Sequence, residues 1–558
     1  MTGTQREAAT SIAWDPVDSR GPARPVEGAE RGGTLRILRD GDYDHLDPQR
    51  IHTLQSTALG QLLYRTLTMF AEDGRGGWTL VGDLADSPGR DVHGDARTWE
   101  FTLKDGIRFE DGRPVTAADV AHGIARSFEQ SLPGGPTHLQ DWLRENGDYP
   151  GPHTSGSDQV PGLEVRGART LVFRFRDPHP DLPMAVSLAT TAPVPADVDT
   201  GESYGKAPLA SGSYRIADHV PDERLILERN PHWSAATDAV RHDHVDRIHI
   251  ELGVDAEQQT VRARGDQGDD TFAVGENQAP AELAPELLAD TSLQGRLRRD
   301  PTPLVWYLAV NTARVTNSSV RRALATAVDR GAVRDAMLDP TQGALVHTLL
   351  SPGTIGYRAY PDPHGAGPHG DPEAARALLA GATPTLRLLS RDGAYFTGAC
   401  RAVADSLERA GFRVEVVEID RPSHNAAALA KDNEYDLYMM ATAADWPGAS
   451  TLLTAFDGRT IRPTGNANFT YLDDPDINAE IDRISALPAD LAAPEWGALD
   501  ERLTTHQVPL IPLYSYVHLA VSGSRVGGVF TSSYLGTPVY YDAYVTGSGA
   551  AEGAGGRP

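Results

Sequence analysis

Hydrophobic and polar residues alternate along the chain in a way that predicts strands separated by helices. Trp99, Phe101 and Leu103 occupy every second position, which is the pattern of a half-buried strand. A helix is predicted to begin after Thr116, where Asp119 three residues later completes an acidic form of the capping box. This segment therefore predicts a strand followed by an amphipathic helix.

The clearest succession of elements lies in the last third of the chain. The predicted elements there are, in order, an Asp-capped helix at 371–380, a strand at 385–390, a helix at 399–410 closed by Gly411, a strand at 414–419, a helix near 426–431 and a strand at 435–441. A strand, helix and strand of these lengths imply a parallel pair with a right-handed crossover. This region is predicted to be an α/β lobe, and a further short strand is predicted at 34–38.

The length of 558 residues exceeds what one hydrophobic core usually serves, and it predicts two to four domains. Hydrophobic residues make up 40% and charged residues 23% of the chain, as in ordinary globular proteins. No run approaches the roughly 18 apolar residues of a membrane span, so we expect no membrane-spanning helix.

The balance of charge argues against two classes of partner. Asp and Glu total 77 against 51 Lys and Arg, and the net charge of −26 repels nucleic acid and anionic lipid headgroups. The single cysteine, Cys400, excludes internal disulfides and multi-thiolate metal sites, and its helical neighbourhood favours a buried thiol.

Motifs of enzymes and cofactor sites fail in context. Gly365–Gly370 matches a dinucleotide fingerprint formally, but no predicted strand leads into it. No phosphate loop, zinc-protease motif or nucleophile elbow occurs. His242, His244 and Asp246, with His249 nearby, could share one strand face and bind a metal. An exposed strand of charged residues explains the same pattern, and we expect no catalytic residue, metal or cofactor.

An ordered set of segments along nearly the whole chain resembles the family 5 extracellular solute-binding proteins, the peptide/nickel class. The most specific segment is 99–126, which includes Phe101-Thr102-Leu103, Gly106-Ile107-Arg108-Phe109, Asp111-Gly112-Arg113-Pro114-Val115-Thr116 and Arg126. Other matching segments, in the family's order, are Gly32–Leu35, Leu46-Asp47-Pro48, Ser211–Tyr214, Leu227–Pro231, Val245–Ile248, Tyr307–Asn311, Val320–Leu324, Ala327–Arg330 and Val508–Tyr514. One such match would be weak, but together they span about 500 residues.

The resemblance implies an α/β, two-lobe periplasmic-binding-protein fold of type II, cluster C, with a subdomain inserted in lobe 1. Mapped onto this chain, lobe 1 comprises 32–75, 205–305 and 505–545, the insert 76–204 and lobe 2 306–504. Residues 1–31 are expected to be a flexible leader and 546–558 a flexible tail, because both are polar or rich in Gly, Pro and Ala. The family's lobes close on their ligand by a hinge motion.

The same resemblance suggests ligand-binding residues in both lobes. Asp445 and Trp446 follow a hydrophobic strand and lie at its carboxyl end, where open α/β sheets bind ligands. Their loop resembles the one in which peptide-binding members hold a peptide's α-amino group with an Asp. The segment 49–56 resembles the part of the other lobe that lines the cleft, with His52, Thr53 and Leu54 as candidates.

The function implied by the resemblance is a monomeric receptor that captures a small ligand, above all an oligopeptide, for the permease subunits of an ABC importer. Such a receptor works outside the cytoplasm, yet residues 1–31 lack the pattern of a signal peptide. Either an export segment precedes this sequence, or the protein stays in the cell and uses the fold for ligand sensing or chemistry. Two further alternatives are a metal-chelate receptor that uses His52 and an oligosaccharide receptor that uses Trp446 for stacking.

Overall fold

The computed structural model describes residues 10–73 and 76–547. The chain divides into two compact units. Unit 1 contains the residues up to Ala279, Asp290–Arg299 and the residues from Leu519 onward, and unit 2 contains Pro280–Ala289 and Asp300–His518. The lobe and insert boundaries given above remain predictions beside this division.

In the described part of unit 1 there are three sheets of three or more strands. Its strands before the first crossover are β1 (Thr10–Ile12), β2 (Thr34–Leu38), β3 (Thr68–Glu72), β4 (Trp78–Gly82), β5 (Arg90–Asp91), β6 (Thr98–Thr102), β7 (Leu163–Arg166), β8 (Thr170–Arg174), β9 (Tyr214–Val220), β10 (Arg224–Arg229), β11 (Arg247–Glu251) and β12 (Ala273–Gly275). The sheets have the strand orders β12-β2-β11-β10-β9, β1-β4-β3 and β5-β6-β8-β7. The helices are α1 (Leu54–Leu63), α2 (Ala117–Arg126), α3 (His138–Arg144), α4 (Pro152–Ser155), α5 (Leu182–Ala185) and α6 (Ala256–Gly265).

The short excursion into unit 2 carries α7 (Ala284–Ala289), and two long strands, β13 (Leu297–Val310) and β18 (Leu510–Val521), lead the chain from one unit to the other. The other strands of unit 2 are β14 (Gly343–Leu345), β15 (Thr385–Arg391), β16 (Arg413–Ile419) and β17 (Leu437–Thr442), in a six-stranded sheet of order β14-β18-β13-β17-β15-β16. Its helices are α8 (Ser318–Ala327), α9 (Arg330–Met337), α10 (Pro372–Leu379), α11 (Ala394–Arg409), α12 (Arg421–Ala428), α13 (Ala449–Leu453), α14 (Pro475–Ser485) and α15 (Ala489–Arg502). Four short strands end unit 1: β19 (Val526–Gly527), β20 (Phe530–Thr531), β21 (Pro538–Val539) and β22 (Tyr544–Val545).

The elements predicted from hydrophobic patterning are confirmed where capping and alternation agree. Trp99 and Phe101 of β6 are buried, and helix α2 begins at Thr116 with both hydrogen bonds of the capping box to Asp119. The strands β15, β16 and β17 form the predicted α/β lobe, with β15 parallel to both neighbours. Cys400 is buried, and its burial raises the pKa of its thiol to about 11, as expected of an inert side chain.

Part of the predicted flexible leader, residues 10–31, pairs with other segments of unit 1, and the flexibility of the leader stays a prediction. Strand β1 pairs in parallel with β4, from Thr10 opposite Trp78 to Ile12 opposite Leu80. Ser19 is buried and its hydroxyl accepts a hydrogen bond of 2.8 Å from the Gly82 N–H. Backbone pairing of this kind needs no hydrophobic pattern, so polar composition alone does not reveal it.

The remaining terminal predictions are tested in part. Residues 1–9 and 548–558 lie outside the described residues. Of the predicted tail, Thr546 donates its backbone N–H to the Arg525 carbonyl at 2.9 Å, so pairing continues to that point. Within the described ranges, no helix combines the length and the apolar character needed to cross a bilayer.

Candidate functional site

Two parallel strands of unit 2 end at the same edge of its sheet, and the predicted binding residue Asp445 follows one of them. Strands β15 and β17 are parallel neighbours, with Leu388 opposite Leu437 and Leu389 opposite Tyr438. Both strands therefore end at the same edge, which is where ligands bind in open α/β sheets. Asp445 lies three residues beyond the last residue of β17.

The loop that carries Asp445 is held by hydrogen bonds within unit 2. The Asp445 N–H donates to the Thr451 hydroxyl at 3.2 Å. The Ile355 N–H donates to the Pro447 carbonyl at 2.8 Å, and the Ala449 N–H donates back to the Ile355 carbonyl at 3.0 Å. These bonds fix the backbone on both sides of the Asp445 side chain, which is half-buried.

Trp446 lies in the same loop but is 1% exposed. Its indole packs against Gly448, where an added Cβ would lie 3.0 Å from the ring. A buried ring offers no open face for a sugar to stack on, so the burial gives no support to stacking on Trp446 as the basis for oligosaccharide binding. The position of Trp446 favours a supporting role beneath the loop.

Arg391 is a residue at this edge that the sequence reasoning missed. It is the last residue of β15, and its guanidinium carbon lies 4.5 Å from the centre of the Phe396 ring. Burial, and then the charge of Arg421, lowers its pKa from the ordinary value. Among the described residues, no carboxylate forms an ion pair with Arg391. Its place at the end of a predicted strand was the available signal.

In unit 1, the residues predicted to bind ligand surround the carboxylate of Asp44. The N–H groups of His52 and Thr53 each lie 3.3 Å from its Oδ2, and the Thr53 hydroxyl donates to Oδ1 at 3.0 Å. Burial alone would raise the pKa of Asp44, but hydrogen bonds from Ser56 and Thr53 outweigh it and lower the pKa. His52 and Thr53 are exposed, and Leu54, half-buried, begins α1.

A groove of about 770 Å³ lies at the carboxyl edge of the sheet in unit 1. Strands β2 and β9 run in the same direction, because β2 is parallel to β11 and two antiparallel pairings separate β11 from β9. The groove is lined by residues 43–47 and 50, which follow β2, by residues 216–219 of β9 and Pro221 just after it, and by Glu202, residues 205–209 and Glu110. Its ionisable side chains include Asp44, Asp47, Arg50, Glu110, Lys206 and His219.

The predicted residues 52–54 do not line this groove, although Asp44, which their backbone and hydroxyl groups hold, does. The predicted binding roles of His52, Thr53 and Leu54 stay predictions.

The histidines near residue 245 do not lie on one strand, and they contact other side chains of unit 1. Strand β11 begins only at Arg247, so His242 and His244 do not share a strand with His249. The rings of His242 and His244 stack at 4.6 Å, and His242 Nδ1 lies 2.8 Å from Asp542. Burial, and then the neighbouring His242, lowers the pKa of His244 to about 4. Across the described part of the chain, no group of three or more His, Cys, Asp or Glu side chains could hold a metal ion.

Comparison with known proteins gives a match over most of the chain. The family model described as bacterial extracellular solute-binding proteins, family 5 Middle, matches residues 79–462. A solved structure described as clavulanic acid biosynthesis oligopeptide binding protein 2 is 32% identical with a TM-score of 0.85, over 92% of this chain and 96% of that one. The Escherichia coli murein tripeptide binding protein MppA is 19% identical with a TM-score of 0.72, over 92% of this chain and 98% of its own. These matches confirm the predicted two-lobe periplasmic-binding-protein fold.

Among curated relatives, the periplasmic oligopeptide-binding protein OppA of Escherichia coli (strain K12) is 25% identical over 325 residues. That alignment covers 55% of this chain and 54% of OppA. Another group of relatives, binding proteins of Brucella species, is 28% identical over 239 residues and is matched over 35% of its length. The chain therefore spans about a third to a half of the length of the curated relatives it matches.

Proposed function

The chain belongs to family 5 of the bacterial extracellular solute-binding proteins, and we propose that it is a receptor that binds a short peptide for an ABC importer. The observation that carries the proposal is the pair of opposite charges at the carboxyl edge of the sheet in unit 2. Asp445 supplies a carboxylate for an ammonium group, and Arg391 supplies a guanidinium for a carboxylate. A free peptide carries both groups, one at each end.

The strand register limits the distance between these two side chains. Arg391 lies two residues past the pairing of Leu389 with Tyr438, so it is level with Met440 on the neighbouring strand. Asp445 lies five residues after Met440, a stretch that an extended chain spans in at most about 17 Å. Adding the spacing of about 5 Å between strands puts the two Cα atoms no more than roughly 22 Å apart. The pair therefore favours short peptides, of at most about six residues.

Names of relatives support a peptide as the ligand. Both the 32% identical structure and OppA are described as oligopeptide-binding proteins, and MppA as a murein tripeptide binding protein. OppA and MppA differ too much in sequence for their ligands to be transferred residue by residue. The charges on Asp445 and Arg391 are the evidence from this chain itself.

Calorimetric titration with trialanine tests the two ends separately. Removing one partner of a buried charged pair costs about 3 to 5 kcal/mol, and less where water remains, so Asp445→Ala should weaken binding roughly ten- to a thousandfold. N-acetylation of the peptide should cost a similar amount, and because both changes delete one interaction, their combined cost should fall far below the sum. Arg391→Gln and the C-terminal amide should behave in the same way.

The crossed combinations provide the internal control. Asp445→Ala with the peptide amide, and Arg391→Gln with the acetylated peptide, remove independent contacts and should be additive. Asp490→Ala and Arg401→Gln change exposed charges of unit 2 and should leave affinity unchanged. Wild-type affinity in both site variants would refute peptide binding at this edge.

The importer and the location outside the cytoplasm are part of the same proposal. The family consists of extracellular solute-binding proteins, and OppA is described as periplasmic. Fractionation of the native host should recover the protein outside the cytoplasm, and recovery from the cytoplasm alone would contradict a transport role. The hinge closure that the resemblance implies stays a prediction, which small-angle scattering with and without trialanine tests.

A further inference from the structure

One arginine joins two walls of the groove in unit 1, which we define as the near wall (residues 43–50) and the far wall (residues 202–209). Arg126 of α2 is fully buried and donates to both carboxylate oxygens of Asp47 in the near wall, at 3.0 and 2.9 Å. Its Nε lies 2.9 Å from Asp199, three residues before the far wall. Its guanidinium also lies 4.7 Å from the ring centre of Tyr204 in the far wall.

His122 lies one helical turn before Arg126 and also contacts the carboxylate of Asp199. Its Nε2 lies 3.0 Å from Asp199 and its Nδ1 lies 3.0 Å from Asp158. Carboxylates only accept hydrogen bonds, so both ring nitrogens must carry a proton for both bonds to exist. The geometry therefore requires the positively charged imidazolium, on a side chain that is 6% exposed.

The groups around His122 favour that charge. Burial by itself lowers its pKa, but the hydrogen bonds and charges of Asp199 and Asp158 outweigh burial, and the pKa is raised. Helix α4 contributes His153, whose Nε2 lies 2.9 Å from Asp199 and competes for the same carboxylate. Arg126 of α2 is a nearby cation, and its positive charge is balanced by the carboxylates of Asp47 and Asp199.

The other described elements packed against α2 carry few ionisable side chains, and those side chains contact other groups. The 3-10 turn Pro48–Arg50 carries Arg50, whose Nε donates to the Pro133 carbonyl at 3.1 Å. The short 3-10 turn Ala189–Thr191 carries no ionisable side chain. On β7, Glu164 pairs with Arg166 and with Arg174 of β8. Asp158 and Asp199 are thus the two carboxylates that decide the protonation of His122.

We infer that the charged form of His122 is a positioning group for the far wall of the groove, so that the order of this wall depends on the protonation of this side chain. The inference does not rest on the proposed function, whose peptide site lies at the sheet edge of unit 2. A neutral imidazole has one N–H and can serve only one of the two carboxylates. Because the pKa of His122 is raised in the folded protein, both of its hydrogen bonds to carboxylates are present below pH 6.5, the ordinary pKa. One of them is lost as pH rises through the raised pKa.

Hydrogen exchange of the free protein tests the positioning role. Protection of the amides of residues 200–209, corrected for intrinsic exchange, is measured by mass spectrometry from pH 6 to 9. In the wild type it should fall with rising pH, by roughly tenfold for each unit by which the pKa of His122 exceeds the unfolded value. In His122→Gln the same amides should exchange faster at pH 6 and show no such dependence. The matched control is His179→Gln, which loses a histidine–carboxylate contact to Glu145 elsewhere in unit 1 and should keep the wild-type profile.

A flat profile in the wild type, or an unchanged profile in His122→Gln, would overturn the inference. If that variant does not fold, nitrogen NMR of the wild-type histidines decides the same point, because His122 must show two protonated ring nitrogens at pH 7. A separate experiment titrates the protein with trialanine across the same pH range. Absent peptide binding with the expected exchange pattern would reject the proposed function alone, and peptide binding with a flat exchange profile would reject the role of His122 alone.

Discussion

A half-buried lysine in unit 1 should make the stability of that unit rise with pH. Lys104 lies beside two fully buried arginines, Arg65 and Arg241, which pair with the buried carboxylates of Asp83 and Asp238. This cluster has three cations for two carboxylates when the lysine is protonated. Burial, and then the charge of Arg65, lowers the pKa of Lys104 to about 7. Protonated Lys104 is therefore the one charge of the cluster that folding disfavours.

The size of the effect follows from that pKa. The unfolded chain keeps Lys104 protonated up to about pH 10.4, whereas the folded chain releases the proton near pH 7. At pH 7 the unfolded state binds about half a proton more than the folded state, and by pH 9 about one more, so the free energy of unfolding rises by about 2.3 kcal/mol between these pH values. Lys104→Met abolishes this rise. The lysine also donates to the Gly82 and Thr237 carbonyls at 2.9 and 3.1 Å, and losing these bonds adds a cost that does not vary with pH.

Urea unfolding at pH 6, 7, 8 and 9, followed by hydrogen exchange of peptides from unit 1, measures the difference between wild type and Lys104→Met. A readout specific to one unit is needed because a chain of two units does not unfold in one step. The matched control is Lys431→Met, which removes an exposed lysine of unit 2 and should not change the pH dependence of unit 1. Parallel pH curves for the wild type and Lys104→Met would refute the reasoning.

Two further predictions concern packing and pH in single units. Alanine usually stabilises a helix relative to glycine, but Gly123→Ala should destabilise unit 1 by about 1 to 3 kcal/mol in urea unfolding, because the new Cβ would lie 2.2 Å from the Ala192 carbonyl. Gly265→Ala meets no atom within 4 Å and should be neutral or stabilising, and equal effects would contradict this account. Burial raises the pKa of Asp500 to about 6, so the stabilisation from its bound proton is fully present below about pH 4 and is lost as pH rises through 6. From pH 4 to 7, the free energy of unfolding of unit 2 should fall by about 2 to 3 kcal/mol more in the wild type than in Asp500→Asn. An equal pH dependence in both proteins would refute this prediction.

Sequence patterning located elements best where a chemical signal marks their ends. The capping box at Thr116 and Asp119 predicted the start of α2, and Asp371 predicted the start of α10. Helix α11 begins at Ala394, five residues before the predicted start, because aromatic residues and Gly398 weaken the helical pattern there. Packing overrides that preference, since Gly398 lies close to Ala336 of helix α9.

The candidate site was harder to predict because its parts come from distant segments. A single sequence shows that Asp445 follows a strand, but not that β15 lies beside β17 and ends at the same edge. Arg391 therefore looks like one of many arginines until the sheet order is known. In unit 1 the far wall of the groove comes from a segment about 160 residues after the near wall, and no local pattern joins them.

The structure separates charges that build the fold from charges that remain for a ligand. Asp83 and Asp238 are fully buried and each forms an ion pair with an arginine, so their charge is balanced inside unit 1. Arg391 has an aromatic ring on one side and, in the described residues, no carboxylate in contact, although the chain carries an excess of acids. Burial lowers the pKa of Arg391, so keeping its guanidinium charged at a strand end without an ion pair has an electrostatic cost. A ligand carboxylate would remove that cost, which is why Arg391 rather than the more numerous acids is the strongest sign of a binding function.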